Sequence, residues 1–174
     1  LMDKELSVVQ NIDRLIFSSQ GELRNEKDNL FRSLFRHSAD YVAIIDAISK
    51  KGKGLTRTEI LEETKLNNNA LFGKRLEELE KCNFIRKYKD YSGRQRQTVF
   101  QLIDPLCHFW NAVVSKNETK DECFWTHTQL SPLFNTWCGF AFEMLCLNHV
   151  QQLKQILGIS GMQTNVYSWR TTGQ

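Results

Sequence analysis

Eight side chains between Asn68 and Arg96 have the types and spacing to contact duplex DNA. Asn68 and Asn69 stand at the start of a helical stretch and offer the amide that pairs with an adenine edge. Lys74 and Arg75 follow on the same helix, within reach of guanine or phosphate. Lys87, Lys89, Arg94 and Arg96 come next on an alternating hairpin pattern, and Arg94 and Arg96 at its tip would straddle a phosphate backbone through charge-assisted, salt-sensitive contacts. From Lys81 to Arg96 six cations face the single Asp90, a larger local surplus than the net charge of +3 carried by the whole chain. Glu77, Glu78 and Glu80 work against the DNA role, and the same helix would serve equally to complete a core or an intrachain interface. Tyr88 and Tyr91 offer rings for base stacking, although strand alternation gives at least one of them to the strand or core.

Other chemistries find fewer residues. His37, His108, His127 and His149 are scattered without a ligand at helical spacing, so no metal site is expected. Cys138 and Cys146 lie two turns apart on one helix, too far to share a metal, and Ser131 before Pro132 reads as a helix cap rather than a nucleophile. The five cysteines, Cys82, Cys107, Cys123, Cys138 and Cys146, are odd in number and never spaced C-x-x-C, which implies reduced thiols and a cytoplasmic setting. No signal peptide and no apolar run of membrane-spanning length is present, and no membrane partner is expected.

The elements that must position the candidate residues are helix, turn, helix and hairpin over Leu55 to Gln101. Thr56 and Glu59 have capping-box spacing, so a helix begins there and runs to Lys65. Asn67 to Asn69 suit a turn, and Phe72, Leu76, Leu79 and Phe84 give the next helix, Asn69 to Cys82, one apolar stripe with Leu71, Lys74, Arg75 and Glu78 on other faces. Ser92-Gly93 turns a hairpin from the strand at Ile85 into the one at Val99. Before this region, Leu6, Val9, Ile12 and Ile16 make a helix seam too short to stand alone. A longer pattern from Asp28 to Lys50 breaks near His37 to Asp40, where Ser38 caps a second helix. After it, Asp104-Pro105 opens an amphipathic helix with Leu106, Phe109, Trp110 and Val113 on its apolar face. Ser115 to Glu122 is polar throughout and reads as a linker. A further helix starts near Leu130 to Leu133, the longest late helix covers Trp137 to Leu157 and stops at Gly158, and Val166 to Trp169 alternates like a strand. The aromatic second half, Trp110, Trp125 and Trp137 with Phe109, Phe124, Phe134, Phe140 and Phe142, forms a core, a docking surface or both. At 174 residues with 11 Phe and 4 Trp, the chain can bury a core.

Three of these pieces fall in an order that resembles a known family. Gln101-Leu102-Ile103-Asp104-Pro105 with Phe109-Trp110, then Gly139-Phe140-Ala141-Phe142-Glu143, then Ser168-Trp169, resemble the C-terminal region of prokaryotic P-loop ATPases of the AAA/STAND type. In that region a winged helix precedes a PD-(D/E)XK nuclease-like domain. Asn11-Ile12-Asp13 and Ser33-Leu34-Phe35 likewise resemble the passage from the ATPase lid. The resemblance implies ATP and Mg²⁺ in a complete protein, an upstream ATPase domain and a downstream nuclease-like domain as partners, and a possible oligomer. The phosphate-binding G-x-x-x-x-G-K-[ST] run is absent here. Glu143 matches the family's helix glutamate, but the metal-binding hairpin is missing and one carboxylate makes no hard-cation site.

The fold expected is therefore mainly α with a small β wing, an α+β class. A helical connector spans residues 1–30, a winged helix-turn-helix 31–114, a linker 115–129, and the incomplete start of a nuclease-like domain 130–174. The function expected is non-catalytic DNA binding without a cofactor in this fragment. The alternative is a docking module that never touches DNA.

Overall fold

A computed structural model describes residues 1–90 and 97–164 of the chain. The expected hairpin tip with Tyr91, Ser92-Gly93, Arg94 and Arg96, and the expected strand from Val166 to Trp169, lie outside the described residues. The architecture is mainly helical with one small antiparallel sheet, an α+β fold. Among the described residues no helix is long and apolar enough to cross a membrane.

The chain opens with α1, Val8–Ile12, whose Ser7 and Gln10 cap each other reciprocally, and continues into a π-helical turn, Asp13–Phe17. Two helices follow, α2 at Glu26–Leu34 and α3 at Ser38–Ser49. The break falls where expected, but Ser38 is already inside α3. The cap residue is His37, in the left-handed region at φ 55°, and it makes no side-chain cap bond.

Next come β1 at Leu55–Thr56, α4 at Arg57–Thr64, α5 at Ala70–Lys81, β2 at Ile85–Asp90 and β3 at Gln97–Leu102. In the sheet β3 lies between the other two: Leu55 pairs with Phe100 and Thr56 with Val99, while Ile85 pairs with Leu102 and the register runs out to Asp90 with Gln97. Gly54 brings the chain into β1 at φ +78°, and a Cβ there would sit 2.3 Å from the Phe100 carbonyl oxygen. No other residue meets both demands without strain. The main core closes beneath this sheet, where Ile44, Ile45 and Ile48 of α3 meet Ile60 of α4, Phe72, Leu76 and Leu79 of α5, and Ile85. The apolar stripe expected on the second helix is thus the face that folds inward.

A second cluster joins distant segments. Helix α6, Pro105–Ala112, starts at Asp104, whose carboxylate accepts from the Cys107 N–H at 2.7 Å, and sends Phe109 toward Phe17, Trp125 and Trp137. This is the neighbour that the N-terminal seam required. Residues 115–129, read as a linker, include α7 at Phe124–His127, and Trp125 is 3% exposed in the cluster. Asp13 fixes α7 in place by accepting from the Trp125 N–H at 2.8 Å and from both the N–H and the hydroxyl of Thr126. Lys27, Asp46 and Asn111 tie α2, α3 and α6 together, with Lys27 Nζ 2.6 Å from both partners.

Ser131 caps α8, Pro132–Asn148, as expected from its place before proline. The helix expected to start near Leu130 to Leu133 runs on through Trp137, and the one expected to continue to Leu157 is broken at His149, which departs from helical geometry before α9, Val150–Ile156, starts anew. Phe140 of α8 packs on Gly52, where an added Cβ would lie 2.3 Å from the ring. On the open side of these helices Phe142, Leu145, Ile156 and Leu157 are exposed.

Candidate nucleic-acid interface

The residues proposed to read bases are engaged by the chain itself. Asn69 is the N-cap of α5, and its side-chain Oδ1 accepts from the Phe72 N–H at 3.0 Å. Asn68 Oδ1 accepts from the Arg57 guanidinium at 2.9 and 3.3 Å. Arg57, which the sequence reading passed over, also donates to the Asn69 backbone carbonyl and lies 4.8 Å over the Phe72 ring. It therefore clamps the turn between α4 and α5.

Arg75 requires a correction. It was expected on the outward face, within reach of DNA, but it is 8% exposed, ion-paired with Asp40 of α3 and set 5.9 Å from the Tyr41 ring centroid. The residue sits one turn from Phe72 and beside Leu76, so its stem follows the apolar stripe inward while Asp40 and Tyr41 satisfy its head. Next to it the Tyr41 hydroxyl donates to Glu78. Burial, then that bond and the Glu78 charge, push the Tyr41 phenol up to about 12.

The lysines are exposed and mostly paired. Lys74 Nζ lies 3.7 Å from Glu78, one turn along α5. Lys87 Nζ lies 2.8 Å from Glu80, whose hydrogen bond and charge hold the ammonium above its ordinary value. Lys89 donates to the Thr98 hydroxyl at 3.0 Å. Lys87 and Lys89 share the exposed face of the hairpin. Its other face carries Arg86, which donates to Gln101 at 3.0 Å, and Tyr88, whose hydroxyl donates to the Lys53 carbonyl. Tyr88 is thereby a strand residue, the role that alternation reserved for one of the two tyrosines, and burial pulls the Arg86 guanidinium below its ordinary value.

Two arrangements flank this surface. A groove of about 490 Å³ separates α5 from the corner between α2 and α3. On the far side Gln101 donates to the Gly52 carbonyl at 2.8 Å, and Phe140 and Glu143 of α8 close a small cleft against the base of the hairpin. Glu143 is exposed there, and no group of three or more metal-capable side chains occurs among the described residues. All five cysteines are free thiols, with Cys107 buried and Cys82 and Cys123 exposed. No protein-family model, curated protein or solved structure matches the chain.

Proposed function

We propose that the segment from α3 to β3 is a winged helix-turn-helix that works as a non-catalytic docking module within a larger ATP-binding protein of the AAA/STAND type. The order helix, strand, two helices and hairpin, with β3 between β1 and β2, supports the winged-helix assignment. The link to an ATPase, with ATP and Mg²⁺ bound elsewhere in the protein, rests on the resemblance of Gln101 to Pro105, Phe109-Trp110 and Gly139 to Glu143.

One observation carries the docking reading: α5, the helix that would enter the major groove, presents a neutralised face. Arg75 is consumed by Asp40, Lys74 faces Glu78, Lys87 faces Glu80, and both asparagines serve the local backbone and Arg57. DNA affinity comes largely from uncompensated cations that displace counterions, and each paired lysine must first leave its carboxylate. Packing of α8 against the hairpin base gives the module a fixed neighbour in the same chain.

DNA binding keeps one support, the concentration of cations between Lys81 and Arg96. Fluorescence anisotropy with a short random duplex, at low and moderate salt, tests the choice. The docking module gives no binding even at low salt. Binding that falls steeply with salt and is lost when Lys74, Lys89, Arg94 and Arg96 become alanine assigns the surface to DNA instead.

A further inference from the structure

The groove between α5 and the α2–α3 corner pairs an apolar floor with an unbalanced cationic rim. Leu34 at the end of α2 and Leu71 in the first turn of α5 are 50% and 48% exposed, and both line it, with Phe35 between them and the α3 helix. Phe35 itself is stacked on Tyr41 at 4.1 Å, so the floor is a rigid aromatic shelf rather than a loose side chain. The carboxylates within reach are occupied: Glu78 holds the Tyr41 hydroxyl and faces Lys74, and Asp40 holds Arg75. Arg36 and Lys81, which both line the groove, have no carboxylate partner among the described residues.

From this arrangement we infer that the groove receives an amphipathic acidic segment of a partner protein, its apolar side chains against Leu34 and Leu71 and its carboxylates against Arg36 and Lys81. The inference rests on the docking reading and names the chemistry of the docked partner. Phosphate would use the two cations but gain nothing from two half-exposed leucines, whereas a helix with leucine and glutamate at helical spacing uses both. The rim charges would set register and choice of partner, and the leucines would supply the buried area. A basic segment is rejected because Arg36 and Lys81 meet it with like charge.

The test uses the whole chain and a fluorescein-labelled amphipathic peptide of Leu and Glu, beside a peptide with Lys in place of every Glu, and the random duplex. The acidic peptide binds at moderate salt and the lysine peptide does not. Arg36→Glu with Lys81→Glu weakens the acidic peptide about tenfold or more. Leu71→Ser weakens it severalfold, while Lys116→Glu with Lys120→Glu, outside the groove, changes nothing. Because all of these positions are exposed, folding is retained, and circular dichroism verifies it. Amide shift changes on peptide addition fall at residues 34–37 and 71–82. Absence of peptide binding, equal binding of the lysine peptide, or binding indifferent to Arg36→Glu with Lys81→Glu overturns the groove assignment. Shift changes confined to α8 and α9 would do the same while leaving the docking reading intact. Salt-sensitive duplex binding lost in the Arg36→Glu, Lys81→Glu variant overturns both.

Discussion

Replacing Arg75 with alanine separates an exposed phosphate contact from a buried strut. A solvent-exposed arginine on a helix can be truncated with a change in stability within about 0.5 kcal/mol. Here the side chain is 10% exposed and its partner Asp40 33% exposed, so truncation leaves a carboxylate that is only partly hydrated. Breaking a fully buried pair costs about 3–5 kcal/mol, and the residual exposure of Asp40 brings the expectation down to about 2–3 kcal/mol, including the guanidinium's contact with Tyr41. Urea unfolding followed by far-ultraviolet circular dichroism measures this as a lower midpoint at unchanged slope. Asp40→Ala should be nearly as damaging. The double variant should cost much less than the two together, with a coupling of about 1–3 kcal/mol. If Arg75→Ala unfolds within about 0.5 kcal/mol of the parent, the side chain is free in solution rather than buried against Asp40 and Tyr41.

Three further outcomes are expected. Asp13→Ala leaves the Trp125 and Thr126 N–H groups without their acceptor and should cost about 2–3 kcal/mol, with earlier proteolytic cleavage near α7, whereas cleavage at the parental rate would show that α7 is held by its aromatic packing alone. Gly54→Ala must force a Cβ toward the Phe100 carbonyl at φ +78° and should lower stability by more than about 2 kcal/mol, and a stability within experimental error of the parent would mean that β1 is not paired as described. Tyr41 favours its neutral form more in the folded protein, at about 12, than in the unfolded chain, where a phenol titrates near its ordinary value of 10.0. This part of the stability is intact below pH 10.0 and lost as pH rises toward about 12, so Tyr41→Phe should flatten the alkaline limb of a stability–pH profile, and parallel profiles would refute it.

The legible parts of the fold are those written in local chemistry. Thr56 and Glu59 announce a helix start and form both bonds of the capping box, while Asp104-Pro105 and Ser131-Pro132 announce two more. The strand β1 has only two residues, too few for any alternation to register. The π-helical turn after α1 and the break at His149 have no proline or glycine to mark them. The site was harder for a different reason. Asn69 directly before a helical run is an N-cap signal, and a side-chain oxygen held by the Phe72 N–H fixes the amide at the helix start, which competes with presenting it to a base edge. That conflict was visible locally. Arg75 was not, because its partners Asp40 and Tyr41 come from a helix more than thirty residues earlier, and no periodicity in α5 announces them.

The ion pairs of α5 are poorly explained as stabilising devices. Exposed pairs such as Lys74 with Glu78, and Lys87 of β2 with Glu80, contribute little to stability, because solvent and salt screen both partners. Their effect on the field is larger than their effect on stability. Each glutamate cancels a lysine at short range, so beyond the screening length of about 8 Å at physiological salt the helix offers little to attract a polyanion. On the docking function proposed above, a partner would be recognised at contact distance, by shape and by the few charges left uncancelled. Arg36 and Lys81 are two such charges, and they stand beside Leu34 and Leu71 rather than along a track of phosphate spacing. Cancelling the long-range field while keeping a local cationic rim over an apolar floor favours a short acidic segment over a nucleic acid.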